Sequence, residues 1–301
     1  MPKFFVYWLK NTAMTKKSSY FFALAVLLSS FVGCTPKEEK NDATTTTEVE
    51  TFTYDFATPT QRYDLPKVLR EISGLSFYKD NQLLCVQDEK GEVFVYDLVK
   101  QDIVEKHLFD KPGDYEGVEV AEGEIYVLRS DGKLLNFTMG SKETRDIETN
   151  LPKKLDVEGL TYDPVTKRLW LAVKENLKKD KKGEGKVIYS FDLKRRAVYQ
   201  QQEITEKNLE GFGLKGKEVR DFKPSGIAFH PKTGEVYLLS SAGHRLIVMT
   251  REGGLLQNIP LDPALYRQPE GICFSPDGTL YISSEGDGKD GYLLKFEPKK
   301  S

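Results

Sequence analysis

A short pattern recurs five times along this chain: a small or acidic residue, glycine, a branched aliphatic residue, and then a short strand. The repeated glycines are Gly74, Gly117, Gly159, Gly226 and Gly271, so the intervals between them are 43, 42, 67 and 45 residues. Three of these intervals match the roughly 40–45 residues of one four-stranded propeller blade. The repeat therefore predicts an all-β fold, a β-propeller over residues 53–301.

Each copy continues with the elements of a blade. The motif is followed by a strand, a turn rich in Asn, Asp, Pro and Gly, and a second strand of β-formers such as EVYLLS or TLYISS. Five motifs predict five blades, and six blades fit only if the 67-residue interval contains a degenerate copy. The fifth copy ends after its third strand at Phe296. We therefore expect a strand near Arg62 to Leu65 to complete that blade, which joins the chain ends and removes a sheet edge.

Composition excludes several classes of protein. The 301 residues contain 44 Lys+Arg and 46 Asp+Glu, for a net charge of −2, and 39% of them are hydrophobic. These values are not those of a disordered, collagen-like or polytopic membrane protein. A pI near 6.1 also argues against nucleic acid as a partner, because a phosphate-binding face needs an excess of Lys and Arg.

The N-terminus is typical of a lipoprotein signal peptide over residues 1–33, with translation starting at Met1 or at Met14. The uncharged run from Tyr20 to Val32 follows two lysines and is too short to span a membrane. It ends at Gly33-Cys34, which resembles a lipobox and predicts lipidation of Cys34. The alternative is an ordinary cleaved signal in which Cys34 has no role.

Residues 34–52 are predicted to be a flexible tether. The stretch TPKEEKNDATTTTEVE contains one valine and no aromatic residue, so it has almost nothing to bury. We expect a cell-envelope protein held to the membrane through its N-terminal lipid. An outer-membrane lipoprotein that faces the periplasm or the surface fits best, because no Asp follows Cys34.

The motif series Ser-Gly, Glu-Gly, Glu-Gly, Pro-Ser-Gly and Pro-Glu-Gly resembles the bacterial SdiA-regulated family of NHL-like propellers. The Asp88-Glu89 pair, His230-Pro231 and Ser283-Ser284-Glu285 are similar to further parts of the family pattern. The resemblance covers the whole mature domain. It implies a lipoprotein or periplasmic propeller with a metal at its centre.

The motif residues that precede glycine predict a ring around the central channel, formed by Ser73, Glu116, Glu158, Ser225 and Glu270. Three converging carboxylates repel one another unless a cation or protons neutralise them. Their hard oxygen atoms suit Ca²⁺, so Glu116, Glu158 and Glu270 are the candidate metal ligands. The alternative is that each glutamate only pairs with a neighbouring blade.

Loops between second and third strands are expected on the same face, which adds Asp88, Glu89 and Glu285 around the ring. His244, in another of these loops, is the only plausible imidazole base. The chain has no Gly-x-Ser-x-Gly elbow, no His-Glu-x-x-His and no phosphate-binding glycine loop followed by a helix. Cys85 and Cys273 lie in apolar strands, either as buried free thiols or as a disulfide between adjacent blades.

Three functions fit these features. The first is a binding module, in which the propeller holds a small molecule or a protein on this face with calcium at the centre. The second is a calcium-dependent hydrolase of lactones or phosphoesters that resembles paraoxonase and gluconolactonase propellers. The third is a non-catalytic envelope scaffold. The two serines in the ring depart from the Glu, Asn and Asp ligands of those enzymes, and this favours the binding module.

Overall fold

Five antiparallel sheets of four strands each form the fold in the computed structural model, which describes residues 52–152, 154–176 and 185–300. The predicted signal peptide, Cys34 and the tether up to residue 51 lie outside the described residues. In chain order the strands are β1 (Phe52–Thr53), β2 (Gln61–Asp64), β3 (Ile72–Lys79), β4 (Gln82–Gln87), β5 (Glu92–Asp97), β6 (Asp102–Leu108), β7 (Tyr115–Ala121), β8 (Glu124–Arg129), β9 (Leu134–Phe137), β10 (Arg145–Ile147), β11 (Leu155–Asp163), β12 (Arg168–Asn176), β13 (Lys186–Asp192), β14 (Ala197–Ile204), β15 (Pro224–Phe229), β16 (Val236–Ser240), β17 (Arg245–Met249), β18 (Leu255–Pro260), β19 (Pro269–Phe274), β20 (Leu280–Ser284), β21 (Tyr292–Phe296) and β22 (Lys299–Lys300).

The sheets are the blades of a propeller. Blade 1 consists of β3–β6, blade 2 of β7–β10, blade 3 of β11–β14, blade 4 of β15–β18, and blade 5 of β19–β21 with β2. Each innermost strand contacts the innermost strands of both neighbouring blades, so β3, β7, β11, β15 and β19 surround a central channel. Five blades are confirmed. We call the face where the innermost strands begin the top face, and the opposite face the bottom face.

The motif glycines are required where the innermost strands approach each other. A Cβ atom on Gly74 would lie 2.7 Å from the Cα of Gly117 in the next blade. A Cβ atom on Gly226 would lie 2.5 Å from the backbone oxygen of Glu270. Both distances are shorter than any normal contact, so only glycine allows the strands to pack this closely around the channel.

The ring is closed by the strand predicted from the N-terminal side. Strand β2 pairs antiparallel with β21, with Gln61 opposite Lys295 and Asp64 opposite Tyr292. The short strand β1 adds a second closure by pairing with β22. Phe52, placed by the sequence at the end of the tether, is thus already part of the folded domain.

A pair of short helices fills part of the 67-residue interval between blades 3 and 4. Helix α1 (Glu206–Gly211) begins with a capping box between Thr205 and Asn208, and helix α2 (Lys217–Asp221) follows directly. Their apolar side chains, including Leu209, pack in the core cluster formed with blades 3 and 4. The extra length is therefore a helical insertion. No helix among the described residues is long and apolar enough to cross a membrane.

The hydrophobic core is divided into clusters that lie between adjacent blades. One cluster joins blade 4 to blade 5 and contains Leu239 and Ile282, which are both fully buried. Burial of one such side chain stabilises the fold by about 1.5–3 kcal/mol. Another cluster joins blades 5 and 1 and contains Cys85 and Cys273, which are buried free thiols. Burial raises the pKa of both thiols, so neither is activated as a nucleophile.

The N-terminal segment is held on the bottom face by His230, in the turn between β15 and β16. The Tyr54 hydroxyl donates to the carbonyl of Gly278 (2.6 Å) and lies 2.9 Å from His230 Nε2. His230 Nδ1 accepts from the backbone amides of Lys232 and Thr233. This arrangement requires a neutral ring with its proton on Nε2, and burial lowers the pKa of His230 to about 4.

Candidate functional site: the mouth of the central channel

Four of the five motif residues lie together at one end of the central channel. Ser73, Glu116, Glu158 and Ser225, with the adjoining glycine backbone, line a cavity of about 10 Å³. That volume admits about one water-sized group. Glu270 is buried beside this cavity, and its charge repels that of Glu158.

The two serines of the ring join neighbouring blades. Ser73 Oγ donates to the carbonyl of Tyr115 (2.6 Å), at the motif of the next blade. Ser225 Oγ donates to the carbonyl of Pro269 (2.9 Å) and accepts from the amide of Ser241 (3.1 Å). Both hydroxyls are thus used in blade-to-blade contacts, while the glutamates face the channel mouth.

Lys174, at the end of β12, supplies the positive charge inside the ring. Its Nζ forms a salt bridge with Glu158 Oε1, and Glu158 has a side chain that is only 7% exposed. Burial lowers the pKa of Lys174, but the charge and hydrogen bond of Glu158 outweigh burial, so the net pKa is raised and the amine stays protonated. Sequence reasoning missed this residue. The available signal was a lysine that directly follows the apolar run LWLAV at the top-face end of a second strand.

Carboxyl groups from several loops surround this pair. We define the acidic mouth as eight carboxyl groups linked by mutual repulsion: Glu71, Asp88, Asp114, Glu116, Asp156, Glu158, Glu270 and Glu285. Glu89 and Glu175 each repel one member and are not counted in this set. Of the additional candidates from the sequence, Asp88 and Glu285 belong to this set. Glu89 adjoins it with an exposed side chain, and its charge helps to raise the pKa of Asp88.

Burial perturbs the carboxyl groups of the mouth more than any other effect. Burial, followed by repulsion from Glu158, raises the pKa of Glu116 to about 10 and that of Glu270 to about 8. Burial and the charges of Glu71 and Asp88 raise the pKa of Glu285 to about 8. For Glu158 burial is opposed by Lys174, and the resulting pKa is about 7. Within the described part of the chain, Lys174 therefore does not neutralise the mouth, and the raised pKa values mean that part of it takes up protons near neutral pH.

Among the residues that the structure describes, two buried oxygen atoms of the mouth have no hydrogen-bond partner: Glu158 Oε2 and Asp88 Oδ1. An unpartnered buried carboxylate oxygen is costly, and such groups commonly receive a hydrogen bond from a bound water, ion or ligand. Glu158 is the stronger case because only 6% of the residue is exposed. The mouth can accept a hydrogen-bond donor at this atom.

The side chains of the mouth do not form a metal centre as they are placed. Within residues 52–152, 154–176 and 185–300, no group of three or more His, Cys, Asp or Glu side chains is arranged to hold a metal ion. Calcium normally takes six to eight oxygen ligands, and here the cation against Glu158 is an ammonium. Calcium binding by Glu116, Glu158 and Glu270 stays a prediction from the sequence.

His244 is fixed by the backbone of a neighbouring loop. Its Nε2 lies 3.1 Å from the carbonyl of Arg267, and its own backbone has a φ of +42°. A carbonyl accepts, so Nε2 carries the proton and Nδ1 is the acceptor nitrogen of the neutral ring. A role for His244 as a base stays a prediction from the sequence.

The family model described as SdiA-regulated matches residues 49–287. Solved propellers are similar in fold: a luciferin-regenerating enzyme (13% identity, 79% of this chain and 95% of that chain, TM-score 0.51) and the Myxococcus xanthus glutaminyl cyclase (12%, 81% and 97%, TM-score 0.52). A Bacteroides thetaiotaomicron VPI-5482 protein of unknown function is also similar (15%, 75% and 58%, TM-score 0.52). At these identities the similarity shows the fold alone. No curated protein matches the chain at a significant level.

Proposed function

This chain belongs to the SdiA-regulated family, and we propose that it is an envelope-anchored binding module that holds a ligand or partner at its top face. The observation that carries the proposal is the carboxylate of Glu158, buried at the channel mouth with Oε2 unpartnered. Structural networks normally satisfy their buried polar atoms. An unsatisfied atom at the open end of a channel favours binding over packing alone.

The position of the N-terminal segment supports the same proposal. Phe52 contacts the ring of His230 on the bottom face, with ring centroids 4.7 Å apart. The described chain therefore joins the propeller at Phe52, on the face opposite the acidic mouth.

The hydrolase alternative has less support. A hydrolase of the calcium-dependent type needs an ion that polarises the substrate oxygen and a group that activates water. Ser73 and Ser225 donate their hydroxyl protons to backbone carbonyls, and among the described residues no group of acidic side chains is arranged to hold such an ion. Fold similarity does not decide between the functions, because propellers carry many unrelated activities.

The test uses the full chain extracted in mild detergent. Its melting temperature is measured against a panel of cationic, neutral and anionic small molecules, and the same panel is supplemented with aryl esters and lactones for turnover. We expect a ligand-dependent rise in melting temperature without turnover, because a ligand that binds only the folded state stabilises it. Turnover that disappears in Glu158→Gln would identify a hydrolase. No shift with any ligand, together with a membrane protein recovered by cross-linking, would identify a scaffold.

A further inference from the structure

We propose that the acidic mouth binds a primary ammonium group carried by an aliphatic amine. This inference rests on the proposed binding function and specifies its ligand class. The mouth already contains one such complex: the ammonium group of Lys174 on Glu158 Oε1. The second oxygen of the same carboxylate is buried and has no partner, so Glu158 presents one further acceptor of the same kind.

The charge around the mouth favours a cation. Eight carboxyl groups form the acidic mouth. The charge of Lys174 attracts five of them and lowers their pKa values: Glu116, Asp156, Glu158, Glu270 and Glu285. The nearby cation Lys223 is already paired with Glu175, at 3.1 Å. Among the described residues, protons and Lys174 neutralise this set only in part, so a bound cation would offset the charge of the ionised carboxylates and displace protons from the others.

The ammonium group of Lys174 indicates the type of cation that fits against Glu158. An ammonium group is a compact point charge, whereas a guanidinium group is a wider planar fork. An ammonium group donates three hydrogen bonds, so it needs only two or three oxygen acceptors. Glu158 Oε2 and the neighbouring carboxyl groups of Glu116 and Glu270 meet this demand more readily than the six to eight ligands of Ca²⁺.

The experiment is isothermal titration of the full chain in detergent with cadaverine (1,5-diaminopentane). Pentylguanidine, 1-pentanol and Ca²⁺ are titrated alongside it. We expect saturable binding of cadaverine that is at least tenfold tighter than that of pentylguanidine, and no saturation with pentanol. Titration with tetralysine distinguishes a free amine from the lysine side chains of a protein partner. If tetralysine binds more tightly than cadaverine, the ammonium group that the mouth binds belongs to a protein.

Variants locate the binding atom. Glu158→Gln keeps the size of the side chain and removes its charge. We expect this variant to bind cadaverine at least tenfold more weakly than the wild type. Glu143→Gln is the matched control, since Glu143 is exposed in the loop between β9 and β10, on the bottom face, and it should leave binding unchanged. If Glu158→Gln does not fold, as judged by its melting transition, Glu270→Gln replaces it, with an expected loss of at least threefold.

Each contrary result has a distinct meaning. Equal affinity of cadaverine for wild type and Glu158→Gln overturns the inference. Absence of amine binding, when a neutral or anionic ligand of the panel still raises the melting temperature, also overturns it but leaves the binding function standing. Calcium binding that excludes cadaverine and is lost in Glu158→Gln assigns the mouth to a metal and overturns the amine. Failure of every ligand overturns the amine, and it overturns the binding function as well if Glu158→Gln also leaves cross-linking to other envelope proteins unchanged.

Discussion

Substitution of Gly226 by alanine tests whether close packing of the innermost strands holds the ring together. The new Cβ atom would lie 2.5 Å from the backbone oxygen of Glu270 and 3.0 Å from Cγ2 of Ile272. Atoms at rest in a core are about 3.5–4.0 Å apart, so β15 and β19 would have to separate by about 1 Å. The first obstacle is backbone, which cannot rotate away as a side chain does.

Overpacking of this kind costs about 1–3 kcal/mol, and we expect the upper end because both strands belong to a closed ring. For a domain of this size each kcal/mol lowers the melting temperature by about 2–4 °C, so the expected loss is about 6–12 °C. Alanine also restricts the conformations of the unfolded chain. This effect stabilises the folded state by about 0.4–1 kcal/mol and partly offsets the cost of the clash.

The matched control is Gly211→Ala, at the end of helix α1. A Cβ atom on Gly211 meets nothing within 4 Å. This variant therefore restricts the unfolded chain in the same way but introduces no clash in the folded state. Thermal and urea unfolding of both variants are followed by circular dichroism. If the free energy of unfolding of Gly226→Ala lies within about 0.5 kcal/mol of that of Gly211→Ala, the ring tolerates the extra methyl group and the reasoning is refuted.

Three further predictions concern charge. Lys174→Met should lower the free energy of unfolding by about 1–3 kcal/mol at pH 8, because it leaves the Glu158 carboxylate buried without its partner. The loss should be smaller at pH 6, where Glu158 takes up a proton; equal losses in urea titrations at both pH values would contradict this. Because the pKa of His230 falls from 6.5 to about 4 on folding, its contribution to stability is complete above pH 6.5 and decreases as the pH falls towards 4. His230→Gln should flatten this part of the stability profile, and an unchanged slope would mean that the ring does not titrate there. Finally, if the ring binds calcium, the melting temperature should be higher in millimolar Ca²⁺ than in chelator. If Lys174 is the cation of the ring, the melting temperature should be the same in both. We expect the second result, and elemental analysis of the purified protein checks it independently.

The repeat pattern was sufficient to predict the fold because its signals are local. Gly74 and its four counterparts mark the start of each innermost strand, and the spacing between them sets the length of a blade. The missing fourth strand of blade 5 was also predictable, since an antiparallel sheet that ends at Phe296 needs a partner and the N-terminal strand β2 was the available one. The five ring positions followed directly from the same register.

The chemistry of the ring depended on contacts that sequence spacing does not encode. Lys174 and Glu158 lie on paired strands of the same blade, β12 and β11, so their proximity follows from the hairpin register. What the sequence does not show is that this pair is buried at the channel mouth. Tyr54 meets His230 across 176 residues of chain, only because the ring closes. The interval of 67 residues could hold a degenerate blade or an insertion, and packing of Leu209 on blades 3 and 4 decided for helices.

The sequence by itself thus determined the propeller fold, its closure and the start of each innermost strand, because periodicity and turn chemistry act within a few residues. Only the tertiary structure decided that the ring carries its own cation, that its serines join blades and that one carboxylate oxygen is left unpartnered. Those outcomes depend on burial and on which side chains meet across blades, and both exist only once the ring has closed.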